Sequence, residues 1–130
     1  MNSKTITVHQ PTNLFGDFHI GEGTSIGAFC DIGGKVGKYC KIQTGVSIPP
    51  LAVVRDYVFM GPGSRIANDR KMNSRLKGTI IDTGAKIGMG ALIGAGIKIG
   101  KDSIIGMGSV VLHDVPPGAT VVGNPAKRIK

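Results

Sequence analysis

Aliphatic residues punctuate this chain at a fixed interval. Ile20, Ile26 and Ile32 stand six positions apart, Val36 follows after four, and Ile42, Ile48, Val54, Met60 and Ile66 resume the steps of six. Beyond a gap, Ile81, Ile87, Ile93, Ile99, Ile105 and Val111 keep the same count. The unit reads most clearly in "IGMGAL IGAGIK IGKDSI IGMGSV", an aliphatic residue followed by Gly, two variable residues, a small residue and one more. Neither a 3.6-residue helical period nor the alternation of a lone hairpin produces that order. Six residues make a short strand and a tight turn, and three such units make a triangular coil with its aliphatic residues inward. Successive coils then stack at about 4.8 Å, the spacing of paired strands, so each supplies the hydrogen-bond partners of the next. Gly after the aliphatic residue suits turns or close backbone approach. The pattern therefore predicts an all-β solenoid, a parallel β-helix. A sandwich of short strands would not hold a six-residue register across both tracts. Collagen fails because Gly is not found at every third position and Pro is only 7 of 130 residues.

The breaks in the pattern divide the chain, which by length is a single domain, 1–130. Residues 1–13 read as a polar lead-in over the first coil, whose open strand edges would otherwise invite pairing. Residues 14–66 form the first tract, in which "IGGKVG" closes one repeat in four residues and leaves one coil about two residues short. From Ala67 the register gives way to "ANDRKMNSRLKGT", an extruded loop over 67–80. Residues 81–115 resume the ladder, and 116–130 leave it as a short C-terminal cap. A loop thrown out between monotonous coils can hold side chains over a flat face, a common place for binding chemistry.

Composition narrows the classes further. No Trp is present, so aliphatics must fill the core. No run of eighteen apolar residues occurs and "MNSKTITVHQP" lacks the apolar centre of a secretory signal, which predicts a cytoplasmic protein without membrane insertion. Cys30 and Cys40 each follow an aliphatic corner by four positions, the small inward place of the repeat, and are read as buried thiols near one another in adjacent coils. The net charge of +8 suggests a phosphorylated small molecule as ligand rather than nucleic acid. Its Lys and Arg residues are scattered through variable positions, with no basic helix and little aromatic interleaving.

At this point the residues resemble a known family. The ladder, and the ending "DVPPGATVVGNPAK" from Asp114 to Lys127, are similar to the bacterial hexapeptide-repeat acyltransferases. The resemblance implies a left-handed helix, an acyl-thioester donor, with acetyl-CoA the default, and a homotrimer. Within that family "GTSIGAFCDIG", "CKIQTGVSI" and "VFMGPGSRIAND" resemble the enzymes that N-acetylate nucleotide-linked amino sugars, UDP- or dTDP-linked, for surface polysaccharides. Asn68 of "IAND" matches the Asn that lies by the sugar amine, although Ala67 precedes it where Thr is usual. "SIPPLAVVRD" and the shortened "GGKVGK" also depart from the family pattern and leave the identity of the sugar open. Two alternatives stand beside this reading: a hexapeptide acyltransferase with a hydroxyl or different amine acceptor, and a non-catalytic scaffold.

Acetyl transfer from a thioester to an amine needs a free lone pair, a nearby carbonyl and donors for the tetrahedral oxyanion. Asn68 can accept from the amine and donate elsewhere, which orients without moving a proton. Asp69 can support Asn68 or receive the leaving proton. Backbone N–H groups of Gly88 and Gly106 are candidates for the oxyanion. Family resemblance places the pantetheine arm along the later coils, between two subunits, where Gly88, Ala91 and Gly106 would be permissive walls and Lys127 would meet phosphate. Arg70 and Arg75, with Lys71 and Lys77, are candidates for the acceptor's diphosphate or carboxylate. Of His9, His19 and His113, His19 is best placed for a substrate or base role. The three are too dispersed for a three-His zinc site, so no metal is expected. A convex prism has few concavities of its own, so a deep pocket calls for a second subunit and three sites per trimer.

Overall fold

The computed structural model describes residues 4–68 and 77–130. Nearly every strand is two residues long, and the strands fall into three sheets that form the faces of a parallel β-helix. The first face stacks Thr7–Val8, Ser25–Ile26, Lys41–Ile42, Phe59–Met60, Lys86–Ile87, Ile104–Ile105 and Thr120–Gly123. The second carries Asn13–Leu14, Asp31–Ile32, Ser47–Ile48, Arg65–Ile66, Leu92–Ile93 and Val110–Val111. His19–Ile20, Lys35–Val36, Val53–Val54, Ile80–Ile81 and Lys98–Ile99 make the third. All pairings between coils are parallel.

In a two-residue strand, one side chain points out and the next points in. The second member here is the aliphatic residue of the repeat, and Ile26, Ile32, Ile42, Ile48, Ile87 and Ile99 are fully buried. The small residue before each strand also turns inward, which is why Val46, Ala52, Ala85 and Ala91 are buried. Where that place holds a hydroxyl, a carbonyl accepts from it: Ser64 Oγ donates to Gly61 O at 2.8 Å and Ser103 Oγ to Gly100 O at 2.6 Å. No buried side-chain polar atom among the described residues lacks a partner, as the cost of desolvating such groups requires.

The ladder begins earlier than the sequence pattern suggests. Thr7–Val8 and Asn13–Leu14 pair with Ser25–Ile26 and Asp31–Ile32, so residues 7–14 form two sides of the first coil rather than a lead-in over it. Val8 and Leu14 continue the six-residue count below Ile20 and pack partly buried on the core. At the other end, Val115 bridges to Ile99 and Thr120–Gly123 pairs with Ile104–Ile105, so the ladder runs into the expected cap. Among the described residues only Ala126–Arg128 turns back, antiparallel, against Val121–Gly123.

The short repeat is real. Gly33 and Gly34 alone separate Asp31–Ile32 from Lys35–Val36, while both strands keep register with the coil above, Ile32 on Ile48 and Val36 on Val54. The corner closes because neither residue has a side chain. A methyl on Gly33 would lie 2.5 Å from Phe15 Cζ, and one on Gly34 would lie 2.6 Å from the carbonyl oxygens of Pro49 and Ala52.

Cys30 and Cys40 are buried and unpaired. They lie at different corners, because Cys30 leads into the second face and Cys40 into the first. Each thiol donates to a carbonyl of the next coil, Gln43 O at 3.1 Å and Arg55 O at 2.9 Å. Burial pushes both thiols above their ordinary value, which favours the neutral, unreactive form.

Candidate functional site

Above the short corner, the ladder leaves its register at Ala67 and returns at Thr79, whose hydroxyl donates to Gly94 O at 2.9 Å. Ala67 still belongs to the ladder by its N–H, which donates to Ile93 O at 2.8 Å. Asn68 is the first residue beyond it and stands exposed. Among the described residues it has no hydrogen-bond partner. Asp69, Arg70 and Arg75, together with Lys71, lie outside the described residues.

Asn68 borders a cleft of about 560 Å³ on the second face, whose lining also includes Phe15, Asp31, Ser47, Pro50 and Arg65. Asp31 pairs in register with Ser47, and Ser47 with Arg65. Their side chains are the outward members of successive strands and form a column, one coil apart at about 4.8 Å. Asn13 Nδ2 donates to Asp31 Oδ1 at 2.6 Å and fixes that carboxylate. Arg65 is exposed and pairs with no carboxylate among the described residues. Asp82, by contrast, is saturated: Thr83 N donates to it at 2.7 Å, Arg55 lies at 3.2 Å and Lys98 at 3.9 Å. The Thr83 N–H first, and then Arg55, hold its carboxyl below the ordinary value.

The other expected site residues are dispersed. His19 is exposed on the third face in the first coil, beside Lys35. Within one chain it is three coils from Asn68, about 14 Å along the axis. Gly88 and Gly106 sit at the corner between the first and second faces in successive coils, half-exposed. Their N–H groups are already donated, to Ile105 O at 2.8 Å and Val121 O at 2.9 Å, so neither is free for an oxyanion. The parallel ladder consumes them, which a six-residue count does not reveal. Ala91 is fully buried, so its methyl belongs to the core and is not the wall of an outer groove. Lys127 is exposed on the terminal hairpin, opposite Val122.

Phe15, Asp31, Ser47 and Arg65 were not singled out by sequence. A signal existed: Asp31, Ser47 and Arg65 each precede an aliphatic core residue, spaced sixteen and eighteen positions apart, the length of one coil. Among the described residues no group of three or more His, Cys, Asp or Glu is placed to hold a metal ion, and no helix is long and apolar enough to cross a membrane.

A short-strand parallel β-helix built on a six-residue repeat, with one break in its register beside a cleft, defines a class. The family model "Hexapeptide repeat of succinyl-transferase" matches residues 19–49 and 78–113, and the chain belongs to the hexapeptide-repeat acyltransferase family, the left-handed β-helix enzymes. It is similar to perosamine N-acetyltransferase from Caulobacter crescentus, solved as a mutant in complex with CoA and GDP-perosamine. That likeness has 25% identity and a TM-score of 0.87, over 98% of this chain and 58% of that one. WeeI from Acinetobacter baumannii is 31% identical over 92% of this chain and 56% of its own, with a TM-score of 0.76. The acetyltransferase domain of PglB from Neisseria gonorrhoeae, at 22% identity, shares the fold with a TM-score of 0.84 over 98% of this chain and 58% of that one. The chain thus spans a little over half the length of these relatives. No curated protein matches it.

Proposed function

We propose that this chain is an acetyl-CoA-dependent N-acetyltransferase whose acceptor is a nucleotide-linked amino sugar, destined for surface polysaccharide precursors in the cytoplasm. The observation that carries the reading is Asn68, exposed and without a hydrogen-bond partner among the described residues, on the rim of the cleft that Arg65 also lines. The perosamine enzyme, crystallised with CoA and GDP-perosamine, supports the choice of donor and acceptor class.

The chemistry follows from the groups present. The neutral amine attacks the thioester carbonyl, a C–N bond forms, the C–S bond breaks, and the thiolate leaves. Asn68 Oδ1 accepts from the amine N–H and aims its lone pair, while the amide N–H₂ holds another acceptor atom. Asp69 is the nearest carboxylate in sequence to take the proton that the amine loses. In this reading Gly88, Gly106 and Lys127 border the coenzyme, with Lys127 at its phosphates, and Arg70, Arg75 and His19 contact the acceptor. The cleft is open on its outer side, which supports a site completed by a second subunit of a homotrimer. Oxyanion donors come from groups not spent in the ladder.

Thiol release from acetyl-CoA, measured against a panel of nucleotide-linked 3-amino and 4-amino sugars, tests this reading. Acceptor-dependent release is expected. Release only with hydroxyl acceptors, or coenzyme binding without release, would replace the amine acceptor by another. Failure to bind coenzyme would leave a scaffold.

A further inference from the structure

The side chains along the cleft change character in a fixed order. In the first coil Phe15 presents an aromatic ring, seated on the Cα of Gly33 because the short corner carries no side chain there. In the second coil comes the carboxylate of Asp31, oriented by Asn13. In the third comes the hydroxyl of Ser47, with the apolar ring of Pro50 at the edge. The fourth supplies the guanidinium of Arg65 and the amide of Asn68. We propose that this column binds the nucleoside diphosphate of the acceptor lengthwise, base on Phe15, ribose at Asp31, diphosphate at Arg65, and amino sugar at Asn68. The proposal rests on the amino-sugar reading above and gives it an orientation.

Each pairing has a physical reason. A planar base loses apolar surface to the Phe15 ring, and stacking against that ring adds to it. Ribose hydroxyls donate, and a carboxylate already held by Asn13 accepts without reordering. A diphosphate placed at Asp31 would be repelled, so the carboxylate fixes the direction as well as the place. Arg65, with no carboxylate partner among the described residues, offers two parallel N–H donors to phosphate oxygens. The column spans three coil steps from Phe15 to Asn68, about 14 Å, a length that base, ribose and diphosphate together can bridge. The glycine corner is what makes room: a residue with a side chain at position 33 would drive the Phe15 ring from its seat.

The test is calorimetric titration of the intact chain with UDP, dTDP and GDP, and with inorganic diphosphate as a probe without a base. At least one nucleoside diphosphate is expected to bind more tightly than inorganic diphosphate. Arg65→Gln should weaken that binding by about tenfold or more, the size of a lost charge-assisted contact. Phe15→Leu keeps an apolar side chain over Gly33 and should erase most of the preference for nucleoside diphosphate over inorganic diphosphate. Thermal melting of both variants separates lost binding from lost fold. Equal binding of inorganic and nucleoside diphosphates, undiminished binding by Arg65→Gln, or no binding to wild type would each overturn the proposal. If acetyl transfer occurs while both variants keep the wild-type KM, this orientation fails and the amino-sugar reading stands. If nucleoside diphosphate binding depends on Phe15 and Arg65 but no amine is acetylated, the orientation stands and that reading fails.

Discussion

Adding one methyl at Gly33 and one at Gly34 separates two kinds of crowding. At Gly34 the new methyl would meet the carbonyl oxygens of Pro49 and Ala52 at 2.6 Å. Those atoms are not free to retreat, because Ala52 O accepts from Lys35 N at 3.0 Å and Pro49 O from Ala52 N at 3.2 Å. Gly34→Ala is therefore expected to cost about 3 kcal/mol, the upper part of the range for overpacking. At Gly33 the obstacle is the Phe15 ring at 2.5 Å, a side chain that can rotate into the cleft. Neither glycine has positive φ, so alanine also gains about 0.4–1 kcal/mol by restricting the unfolded chain. Gly33→Ala is then expected to cost about 1 kcal/mol net. In a Phe15→Leu background the clash is relieved, and a double-mutant cycle should return a favourable coupling of about 1 kcal/mol. Urea unfolding at one fixed protein concentration measures all four chains, the concentration held because assembly shifts apparent stability. Equal stability of Gly34→Ala and wild type, or zero coupling between positions 15 and 33, would refute the packing argument.

Three further outcomes are expected. Asn68→Ala should lower turnover about tenfold or more through lost orientation while melting temperature and assembly state stay unchanged; unchanged turnover in the thiol-release assay would remove Asn68 from the mechanism. Cys30 and Cys40 should resist alkylation at pH 8 until the chain unfolds, since both are buried with raised values. Because the folded state then binds more protons than the unfolded one, their contribution to stability should decline as pH rises past the ordinary thiol value of 9.0; rapid native labelling by mass spectrometry would contradict this. Asp82→Asn should cost about 0.5–1 kcal/mol near pH 7. Its carboxyl is held low in the fold, so that stability is present above 3.8 and disappears as pH falls through the lowered value. The melting curves of mutant and wild type should converge in acid, and a gap that persists there would exclude the ionic contribution.

The repeat was legible before any coordinate because a six-residue strand and turn leaves the same mark each time: Ile87, Ile93, Ile99 and Ile105 are all buried in the ladder. The missing residues at Gly33–Gly34 and the departure at Ala67 were legible for the same reason, as errors in a count. The start of the first coil was not: Val8 and Leu14 keep the spacing, but polar neighbours and a proline obscured it. Pairing with Ser25–Ile26 and Asp31–Ile32 places them in the ladder.

Chemistry divides along the same line. Sequence located the break by register and marked Asn68 there through the family resemblance of "IAND". Tertiary structure decided what is within reach of it. Stacking brings Asp31, Ser47 and Arg65 into one column, because parallel coils align residues that lie a whole turn apart in the chain. It also withdrew the N–H groups of Gly88 and Gly106 from reaction by giving them to Ile105 and Val121, and turned Ala91 into the core. A period specifies which residues face inward; the hydrogen bonds between coils determine which polar groups are left to meet a ligand.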